Sequence, residues 1–410
     1  MSISAVDTEF AFDPTDAAAA KDFERLARIR REKPICRPAE NLVLFARYAD
    51  TAAVFKDSKR FSSVGDMRAP GVVVPEAERF LGELDAPLHP KIRRILLKGF
   101  TRGGASHVES WIRDYVRARL GAMAQQGQGD LMADLAVGLP GSVSAHVLGL
   151  PAELHAPVMG WCLELLHSAW PTTGATPRGE GIAGSFPEFA ACLDEQIRIR
   201  ESGSAEAEDS ADLLSIMVNL RDASGWGIGA HHVRTLVVNI LAGSLSTSYM
   251  LGNLLYRALR EPAFVAALRS DAQNLPRAVE ESLRLEAPVT FLMRTALEDA
   301  EIGGEAIRRG EHLMLHIASA NRDETAFAHA DQFRLDREGE PPHLAFGVGP
   351  HICLGNHLTR VIGRVVLEEF LELMERTPFE LEPDYVWTCV NHLQEYGPEA
   401  LPVRRKQAIA

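Results

Sequence analysis

The spacing of hydrophobic and polar residues along the chain predicts a mainly helical protein. Apolar residues recur every three or four positions over residues 90–120 and 131–150, as they do on the buried face of a helix. A longer apolar run over residues 233–259 predicts a nearly continuous central helix. Residues 17–33 follow a helical pattern that ends before Pro34.

Small β elements are predicted near both ends of the chain. Residues 41–48, NLVLFARY, favour a strand that leads into a helix. Residues 300–318 carry a Gly-Gly turn between apolar segments, as in a β hairpin that leads into a loop. Residues 167–189 and 201–212 are rich in Gly, Pro, Ser, Thr or charge and predict exposed connections. The first has the length of a lid, and we expect residues 1–20 to be loosely ordered.

Composition narrows the class of protein. The chain of 410 residues is 46% hydrophobic, so it can bury a large core in one large domain or two ordinary ones. Its net charge of −13 argues against binding to nucleic acid or to an anionic membrane surface. Five cysteines without CxxC spacing argue against a disulfide framework and fit a reducing cytoplasm. The polar, acidic N-terminus and the lack of about 18 consecutive apolar residues predict no signal peptide and no membrane span.

One cysteine lies between glycines just before a strongly helical run. In FGVGPHICLG, residues 346–355, Gly347 and Gly349 allow the backbone to approach a flat object closely, and Gly355 follows Cys353. A helix that begins beside Cys353 would stabilise a thiolate, which is the form of sulfur that binds metals. The alternative is that Cys353 is a small buried hydrophobic residue, as most cysteines are.

This segment resembles the haem-binding loop of the cytochromes P450, FGxGxHxCxG, with every fixed position filled. The resemblance implies that Cys353 is the axial thiolate of one haem b (heme b, iron protoporphyrin IX) per chain, held in a loop that includes Phe346, Gly347 and Gly355. It also implies a mainly α fold with small β sheets. We expect a single P450 domain over residues 1–410, with the long central helix over the haem and no fused reductase or ferredoxin module.

A second motif of the family occurs about seventy residues before the cysteine. Glu281 and Arg284, in EESLRLEAPV, match its ExxR helix, where the pair is structural and supports the haem loop. Taken alone, the pair could equally be an ordinary surface ion pair of two helical residues three positions apart. The family has a third member, an arginine in the segment before the loop, and we expect Gln332 to replace it here.

The haem propionates require cationic or hydrogen-bonding partners. By motif position these are His89 and Arg93 in LDAPLHPKIRRILLKGFT, Arg294 in FLMRTA, and His351 in the cysteine loop. Each of these residues by itself could instead be a solvated arginine or a satisfied core histidine.

The central helix departs from the family pattern. LAGSLSTSYM aligns with the AGxxT segment, in which an acid followed by a threonine relays protons, but these positions hold Leu245 and Ser246, with Thr247 next. We expect Ser246, with Thr247, to act in catalysis, while the alternative is that both hydroxyls only bond to helix carbonyls.

The substrate cavity is expected to be mainly apolar, which implies a small hydrophobic molecule. Gln394 or Glu395 could add a polar contact, and residues 68–80 and the connection from residue 168 onward would form the entrance. Terpenoid, steroid, aromatic acid and fatty acid all remain open as substrate classes. By motif position the lining residues are Val238, Leu241, Ala242 (which also contacts the haem), Leu245, Val289, Thr290 and Leu292.

A chain without a reductase module must take electrons from other proteins. The resemblance implies a ferredoxin and, indirectly, a ferredoxin reductase, and the expected reaction is insertion of one oxygen atom of O2 into the substrate. An acidic ferredoxin could dock on basic residues that recur at helical spacing, although such a stripe can also be a plain solvated face. These residues are Lys91, Arg94, Lys98, Arg360 and Arg364. Because the acid is missing at Leu245, the alternative is atypical chemistry: peroxide-driven, substrate-assisted or rearranging.

Overall fold

The computed structural model describes residues 6–65, 74–102, 105–168, 181–201 and 212–406. The chain divides into two compact units: unit 1 comprises residues 1–62, 111–139 and 246–410, and unit 2 comprises residues 63–110 and 140–245. Within the described residues, all strands lie in unit 1, and unit 2 is helical.

The helices are numbered in chain order. They are α1 (Ala17–Ala20), α2 (Phe23–Glu32), α3 (Tyr48–Lys56), α4 (Leu88–Arg102), α5 (Ala105–Gln126), α6 (Gly138–Val147), α7 (Ala152–Ser168), α8 (Gly181–Ser185), α9 (Pro187–Glu201), α10 (Leu213–Asn219), α11 (Ala230–Gly243), α12 (Leu245–Arg260), α13 (Pro262–Ser270), α14 (Asn274–Leu285), α15 (Ile317–Ala320) and α16 (Asn356–Arg376). Short 3₁₀ turns cover Glu76–Glu78 and Leu81–Glu83, and Met132–Ala136 is a π-helical turn.

The strands form three sheets. They are β1 (Ile35–Ala39), β2 (Leu42–Phe45), β3 (Phe61–Ser62), β4 (Gln128–Asp130), β5 (Leu292–Ala296), β6 (Ala300–Ile302), β7 (Glu305–Ile307), β8 (His312–Leu315), β9 (Phe379–Leu381) and β10 (Pro402–Arg405). The sheet orders are β1-β2-β8-β5-β3, β4-β10-β9 and β6-β7.

The five-stranded sheet is the centre of unit 1. Strand β2 runs antiparallel to β1 and parallel to β8. Its residues Leu42 and Leu44 pack into one hydrophobic cluster, whereas Val43 and Phe45 pack into another, because successive side chains of a strand point to opposite faces. Both faces of β2 are therefore covered, which explains why its sequence is continuously apolar.

The predicted hairpin is confirmed over residues 300–307, but the residues after it form β8 and α15, not the expected loop. Strands β6 and β7 pair antiparallel around Gly303 and Gly304, which have φ of +57° and +82°. Two consecutive residues with positive φ are typical of the tight turn that suits the twist of a hairpin, and glycine adopts them without steric cost.

Several polar contacts link the elements of unit 2 around its buried hydrophobic residues. The Arg200 side chain in α9 donates to the carboxylate of Asp212 at 3.1 Å and to the carbonyl oxygen of Gly149 at 2.6 Å. Asp212 in turn accepts the backbone N–H of Ser215 and so caps α10. In α11, the Thr235 hydroxyl donates to the carbonyl oxygen of Ala77 at 2.9 Å.

The long central helix is interrupted. It consists of α11 and α12, separated by Ser244, whose hydroxyl donates to the carbonyl oxygen of Leu241 at 2.6 Å. A serine hydroxyl that bonds back to the preceding turn competes with the helical backbone bonds, which accounts for the break. Residues 230–260 are apolar and long enough to cross a bilayer by composition alone, but 61% of the most apolar window is buried inside the protein.

Two other predicted elements differ in their bounds. The helical pattern over residues 17–33 is two helices, because Asp22 accepts the N–H of Arg25 and caps α2. The expected connection over residues 167–189 includes α8 and the start of α9; its residues 169–180 lie outside the described residues, as do 202–211.

The N-terminal segment contains regular structure. In residues 6–20, which we expected to be loosely ordered, α1 forms and both Phe10 and Ala20 are buried. Residues 1–5 lie outside the described residues.

Candidate active site

Residues 346–355 form a tight loop that presents Cys353. The backbone N–H of Cys353 donates to the carbonyl oxygen of Phe346 at 2.8 Å and closes the loop. Gly347 and Gly349 have φ of +65° and +85°, a region that glycine adopts without a steric penalty. A Cβ atom on Gly349 would lie 2.9 Å from the carbonyl oxygen of Phe55. Cys353 itself is exposed.

Helix α16 begins directly after the cysteine. Gly355 is its N-cap residue, and the Asn356 side chain donates to the carbonyl oxygen of Cys353 at 2.6 Å. A Cβ atom on Gly355 would lie 3.9 Å from the sulfur, so the sulfur lies beside the first turn of the helix. The positive end of the helix dipole favours a thiolate there. An exposed sulfur at the start of a helix is suited to bind the metal ion of a flat cofactor.

Glu281 and Arg284 form a buried pair. Arg284 donates to the two carboxylate oxygens of Glu281 at 2.7 and 2.8 Å, and both side chains are 3% exposed. Arg284 also donates to the carbonyl oxygens of Asn321, Ala330 and Gln332. The alternative of an ordinary surface ion pair is therefore wrong, because the pair is buried and organises the chain after α15.

The cluster has a third charged member, which the sequence reasoning missed. Arg337 lies with its Nε and Nη2 atoms 3.0 Å from the oxygens of Glu281. Gln332 contributes only its carbonyl oxygen, which accepts from Arg284 and Arg337. Our expectation that Gln332 replaces the arginine is therefore wrong. The arginine is Arg337, five positions after Gln332. The ExxR spacing of Glu281 and Arg284 does not predict where in the sequence this third member lies.

Two of the predicted propionate partners lie in unit 1. Arg294, in the middle of β5, is 4% exposed; it donates to the carbonyl oxygen of Met293 at 2.6 Å and lies over the ring of Phe55. His351 is half-buried within the cysteine loop. A buried guanidinium is costly unless acceptors or anions surround it, so Arg294 is a suitable partner for a carboxylate.

The other two predicted partners lie on α4 in unit 2. His89 is 4% exposed, and Arg93 follows one helical turn later. Burial and the charge of Arg93 lower the pKa of His89 to about 4, against the opposing effect of Asp85. His89 is therefore neutral at neutral pH, and its ring can donate one hydrogen bond.

Ser246 and Thr247 have different surroundings on α12. Ser246 and Leu245 are half-buried at the start of the helix. Thr247 is 6% exposed, and its hydroxyl oxygen lies 3.2 Å from that of Thr359 on α16. Thr247 is thus part of a helix-to-helix contact, and Ser246 is the better candidate for a chemical role.

The predicted pocket residues fall into two groups. Leu245, Val289 and Leu292 are half-buried and keep accessible surface, and Ala242 is 7% exposed. Val238, Leu241 and Thr290 are 0% exposed. Val238 and Leu241 are buried hydrophobic residues of α11, and their role in the pocket, which rests on motif position, stays a prediction.

Thr290 is bound by the loop between β9 and β10, residues 382–401, which we call the C-terminal loop. Its N–H and its hydroxyl donate to the carbonyl oxygen of Gln394 at 2.7 and 2.9 Å. Its neighbour Val289 forms an antiparallel bridge with Glu395, and burial raises the pKa of the Glu395 carboxyl. Gln394 and Glu395, named above as polar candidates, are therefore fixed next to residues 289–290.

The C-terminal loop is also tied to the start of the chain. The ammonium group of Lys21 donates to the carbonyl oxygens of Val390, His392 and Glu395 at 2.8, 2.7 and 3.0 Å. These three bonds use all the donors of the ammonium group.

The basic residues considered for docking are of two kinds. Lys91, Arg94 and Lys98 are exposed on α4, with Lys91 over the ring of Trp226. On α16, the Arg360 side chain binds both carboxylate oxygens of Glu280 at 2.6 and 2.9 Å, and Arg364 binds Glu368 at 2.7 Å. The charges on α16 are therefore partly compensated within the protein.

A helical fold with small sheets and an exposed cysteine in a glycine loop at the head of a long helix defines a haem-thiolate protein. Comparisons with known proteins agree. The family model of cytochrome P450 matches residues 185–384. Cytochrome P450 130 of Mycobacterium tuberculosis is 31% identical over an alignment of 389 residues, which covers 90% of this chain and 90% of the relative. The chain belongs to the cytochrome P450 family.

Two further relatives are similar over almost the whole chain. Steroid C26-monooxygenase of Mycolicibacterium smegmatis is 29% identical over 386 residues, 92% of this chain and 90% of the relative. The solved structure of a mutant of P450 EryK in complex with erythromycin B has a TM-score of 0.81 and 28% identity, covering 96% of this chain and 98% of that one. The protein is thus a P450 monooxygenase with one haem b per chain.

Proposed function

We propose that this P450 inserts one oxygen atom of O2 into a small hydrophobic organic substrate, with electrons supplied by a ferredoxin and a ferredoxin reductase. The observation that carries the proposal is the Cys353 loop, in which an exposed sulfur lies at the head of α16. When bound, the haem supplies the iron that activates O2, and a thiolate ligand favours O–O cleavage.

Cys353 is the proposed axial ligand, and four side chains are the proposed partners of the two propionates. Buried carboxylates need such partners, and Arg294 can bind one with two parallel hydrogen bonds. The propionate partners are His89, Arg93, Arg294 and His351, and the residues proposed to contact the macrocycle are Ala242, Phe346, Gly347 and Gly355.

The ligand assignment is tested by the absorption of the reduced, CO-bound protein. We expect the red-shifted Soret band that is typical of thiolate ligation, and we expect Cys353→His to lose it. Cys389→Ser is the matched control, because Cys389 is a half-buried cysteine outside the loop, and it should keep the band. Retention of the band in Cys353→His would contradict the assignment.

Ser246 is the proposed residue for proton delivery. Its hydroxyl can donate and accept a hydrogen bond at the start of α12, whereas the aliphatic side chain of Leu245 cannot carry a proton. Thr247 would support this position through its contact with Thr359. Positioned proton transfer is typically worth about 10²–10⁴-fold in rate. Because Leu245 cannot supply protons, they would have to reach Ser246 through ordered water or a polar group of the substrate.

The missing acid favours one alternative function. A P450 with Leu245 in place of the acid could use peroxide directly, rely on its substrate for protons, or rearrange a substrate. Substrate-dependent consumption of reduced nicotinamide with surrogate ferredoxin and reductase, coupled to an oxygenated product, would support the monooxygenase. Product formation with peroxide alone would support the alternative.

The proposed ferredoxin surface centres on the exposed cations of α4. Reversing the charge of Arg94 to glutamate should slow ferredoxin-supported reduction and flatten its dependence on salt, because the attraction between opposite charges is screened by salt. Arg260→Glu, which changes the charge of an exposed arginine on α12, is the control. Equal reduction rates for the two variants would contradict docking at α4. The role of Arg360 and Arg364 in docking is secondary, since both already form ion pairs.

The substrate is proposed to contact the half-buried apolar residues Leu245, Val289 and Leu292, with Glu395 as a polar group nearby. The name of the relative steroid C26-monooxygenase makes steroids the first class to test, beside terpenoids, aromatic acids and fatty acids. Binding should shift the haem from low spin to high spin, since a bound substrate displaces the water on the iron. No shift with any apolar class would contradict an apolar pocket.

The whole chain, residues 1–410, is proposed to act as a single P450 domain in the cytoplasm. The match of the solved structure over 96% of the chain supports the first part. The odd number of cysteines and the acidic charge support the second.

A further inference from the structure

Three side chains outside the family motifs described above form an ionic cluster beside the cysteine loop, in which His343 is buried and Glu280 and Arg360 are partly exposed. Glu280, the last residue before Glu281, binds Arg360 through both carboxylate oxygens at 2.6 and 2.9 Å. His343 is 7% exposed, and its Nε2 atom lies 3.3 Å from a carboxylate oxygen of Glu280. We call Glu280, His343 and Arg360 the loop cluster.

Glu280 and Arg360 are the charged pair of the loop cluster. The Nδ1 atom of His343 accepts the backbone N–H of Ala345 at 3.2 Å, so a neutral ring carries its proton on Nε2, toward Glu280. Burial alone would raise the pKa of Glu280, but His343 and Arg360 hold it at about 2. Glu280 is therefore a carboxylate at neutral pH, and Arg360 is its counter-charge.

Contacts of Arg360 continue from the cluster to Cys353 by two routes. In the first, Arg360 donates to the side-chain oxygen of Asn356 at 2.9 Å, and Asn356 donates to the carbonyl oxygen of Cys353 at 2.6 Å. In the second, Arg360 lies over the ring of Phe346 at 4.6 Å, and the Phe346 carbonyl oxygen accepts the N–H of Cys353. Both peptide groups of Cys353 are thus held by residues that touch Arg360.

These contacts differ from those of the neighbouring acid. Glu281 binds Arg284 and Arg337, whereas Glu280 binds Arg360, which contacts residues that hold the cysteine loop. The two consecutive glutamates of α14 therefore contact different segments. Glu281 binds the segment before the cysteine loop, and Glu280 binds Arg360 on α16, which contacts the loop.

We propose that the loop cluster positions the Cys353 sulfur and sets the electrostatic potential at it, so that Glu280 and Arg360 tune the reduction potential of the bound haem in opposite directions. Both are positioning residues, which act through Asn356 and Phe346. The inference rests on the proposed ligation of the haem by Cys353.

The signs follow from the charges. Reduction of a ferric haem adds one negative charge, which a nearby positive charge favours and a nearby negative charge opposes. Glu280→Gln leaves the Arg360 charge uncompensated and should move the potential in the positive direction. Arg360→Gln leaves the Glu280 charge uncompensated and should move it in the negative direction. The double variant removes both charges and should lie between them, close to the wild type.

A purely structural role would give a different pattern. If the cluster only held the loop in place, the two single variants would loosen the loop alike, and their potentials would move in the same direction. Arg360→Lys adds a second comparison, because it keeps the charge but loses the two parallel hydrogen bonds to Glu280. We expect it to change the potential less than Arg360→Gln does and to increase the share of CO complex that has lost thiolate ligation.

The experiment is a spectroelectrochemical titration of the haem-loaded wild type, the three single variants and the double variant, with CO difference spectra of each. Arg364→Gln is the control, because Arg364 lies one turn further along α16 and pairs with Glu368; its shift should be smaller than that of Arg360→Gln. Opposite shifts for Glu280→Gln and Arg360→Gln support the proposal. Shifts in one direction, or none, overturn it.

Two outcomes separate this proposal from the ligation on which it rests. If the wild type lacks the thiolate-type CO band, ligation by Cys353 fails, and the loop cluster loses its role with it. If the band is present and Cys353→His removes it, but the potentials do not move in opposite directions, only the tuning role fails. If Arg360→Gln does not retain haem, the test uses the reduction potentials of Glu280→Gln and Arg360→Lys, each compared with the wild type. A shift of Glu280→Gln in the positive direction that exceeds the shift of Arg360→Lys supports the proposal, and a negative shift of Glu280→Gln overturns it.

Discussion

Replacing Arg337 by methionine tests whether the third arginine stabilises the buried cluster around Glu281. The change removes a guanidinium that lies 3.0 Å from the carboxylate and keeps much of the aliphatic length. Glu281 is 3% exposed, so water cannot replace the lost partner, and the stability of its negative charge depends on the two arginines.

The magnitude follows from what remains. Removing one partner of a buried ion pair costs about 3–5 kcal/mol. Here Arg284 still binds Glu281, and Arg337 itself is 14% exposed, so we expect a loss of about 2–3 kcal/mol in the free energy of unfolding. Arg334→Met is the control: its side chain pairs with Asp336, which is 79% exposed, and because exposed ion pairs contribute little it should lower stability less than Arg337→Met does.

The control has a second advantage. The backbone N–H of Arg334 donates to Glu281 at 2.9 Å, and the substitution leaves that bond in place. The assay is urea unfolding followed by circular dichroism and, in parallel, by loss of the thiolate-type CO band. Arg337→Met should lose both signals at a lower urea concentration than Arg334→Met. Equal midpoints for the two variants would refute a stabilising role for Arg337.

Three other predictions concern acid stability, the loop and proton delivery. His316 is fully buried, and burial lowers its pKa to about 4. Because a histidine of the unfolded chain takes up a proton below about pH 6.5, the free energy of unfolding falls as the pH drops from about 6.5 toward 4. In urea unfolding, His316→Asn should reduce the slope of this pH dependence by about 1.4 kcal/mol per pH unit. Gly349 has a φ of +85°, and a Cβ added there would lie 2.9 Å from a backbone oxygen, whereas Gly339 has a φ of +83° and open space at the Cβ position. Gly349→Ala should therefore lower the share of thiolate-type CO complex more than Gly339→Ala does. Equal shares would show that the close contact is unimportant. Ser246→Ala should lower the coupling of electron use to product while sparing the peroxide-driven reaction, and Leu245→Asp should change the solvent isotope effect; a Ser246→Ala enzyme with wild-type coupling and rate would exclude a role for the hydroxyl.

The sequence was most informative where function depends on a short continuous segment. The loop from Phe346 to Gly355 depends on its own glycines and on short-range backbone hydrogen bonds, such as the one from the Cys353 N–H to the Phe346 carbonyl oxygen, so ten consecutive residues contain most of the information. The hairpin at Gly303 and Gly304 is predictable for the same reason, because its two turn residues need positive φ.

Features that depend on residues distant in sequence were not predictable in the same way. Arg337 reaches Glu281 across 56 positions, and His343 and Arg360 meet at Glu280 across 63 and 80 positions. Burial was equally hidden: the motif positions that place Val238 and Leu241 in the pocket wall do not predict that both are 0% exposed. The break at Ser244 could have been suspected from a serine amid an apolar run, although serine is common within helices.

The three hydrogen bonds from Lys21 have a practical consequence for protein engineering. They connect the beginning of the chain with the loop that carries Glu395, although the two segments are more than 360 residues apart in sequence. A version shortened by the first 21 residues would lose the ammonium group and leave three carbonyl oxygens without that donor. Such a version would also lose the buried Phe10 and Ala20, so work on selectivity should begin from the chain with residues 1–21 intact.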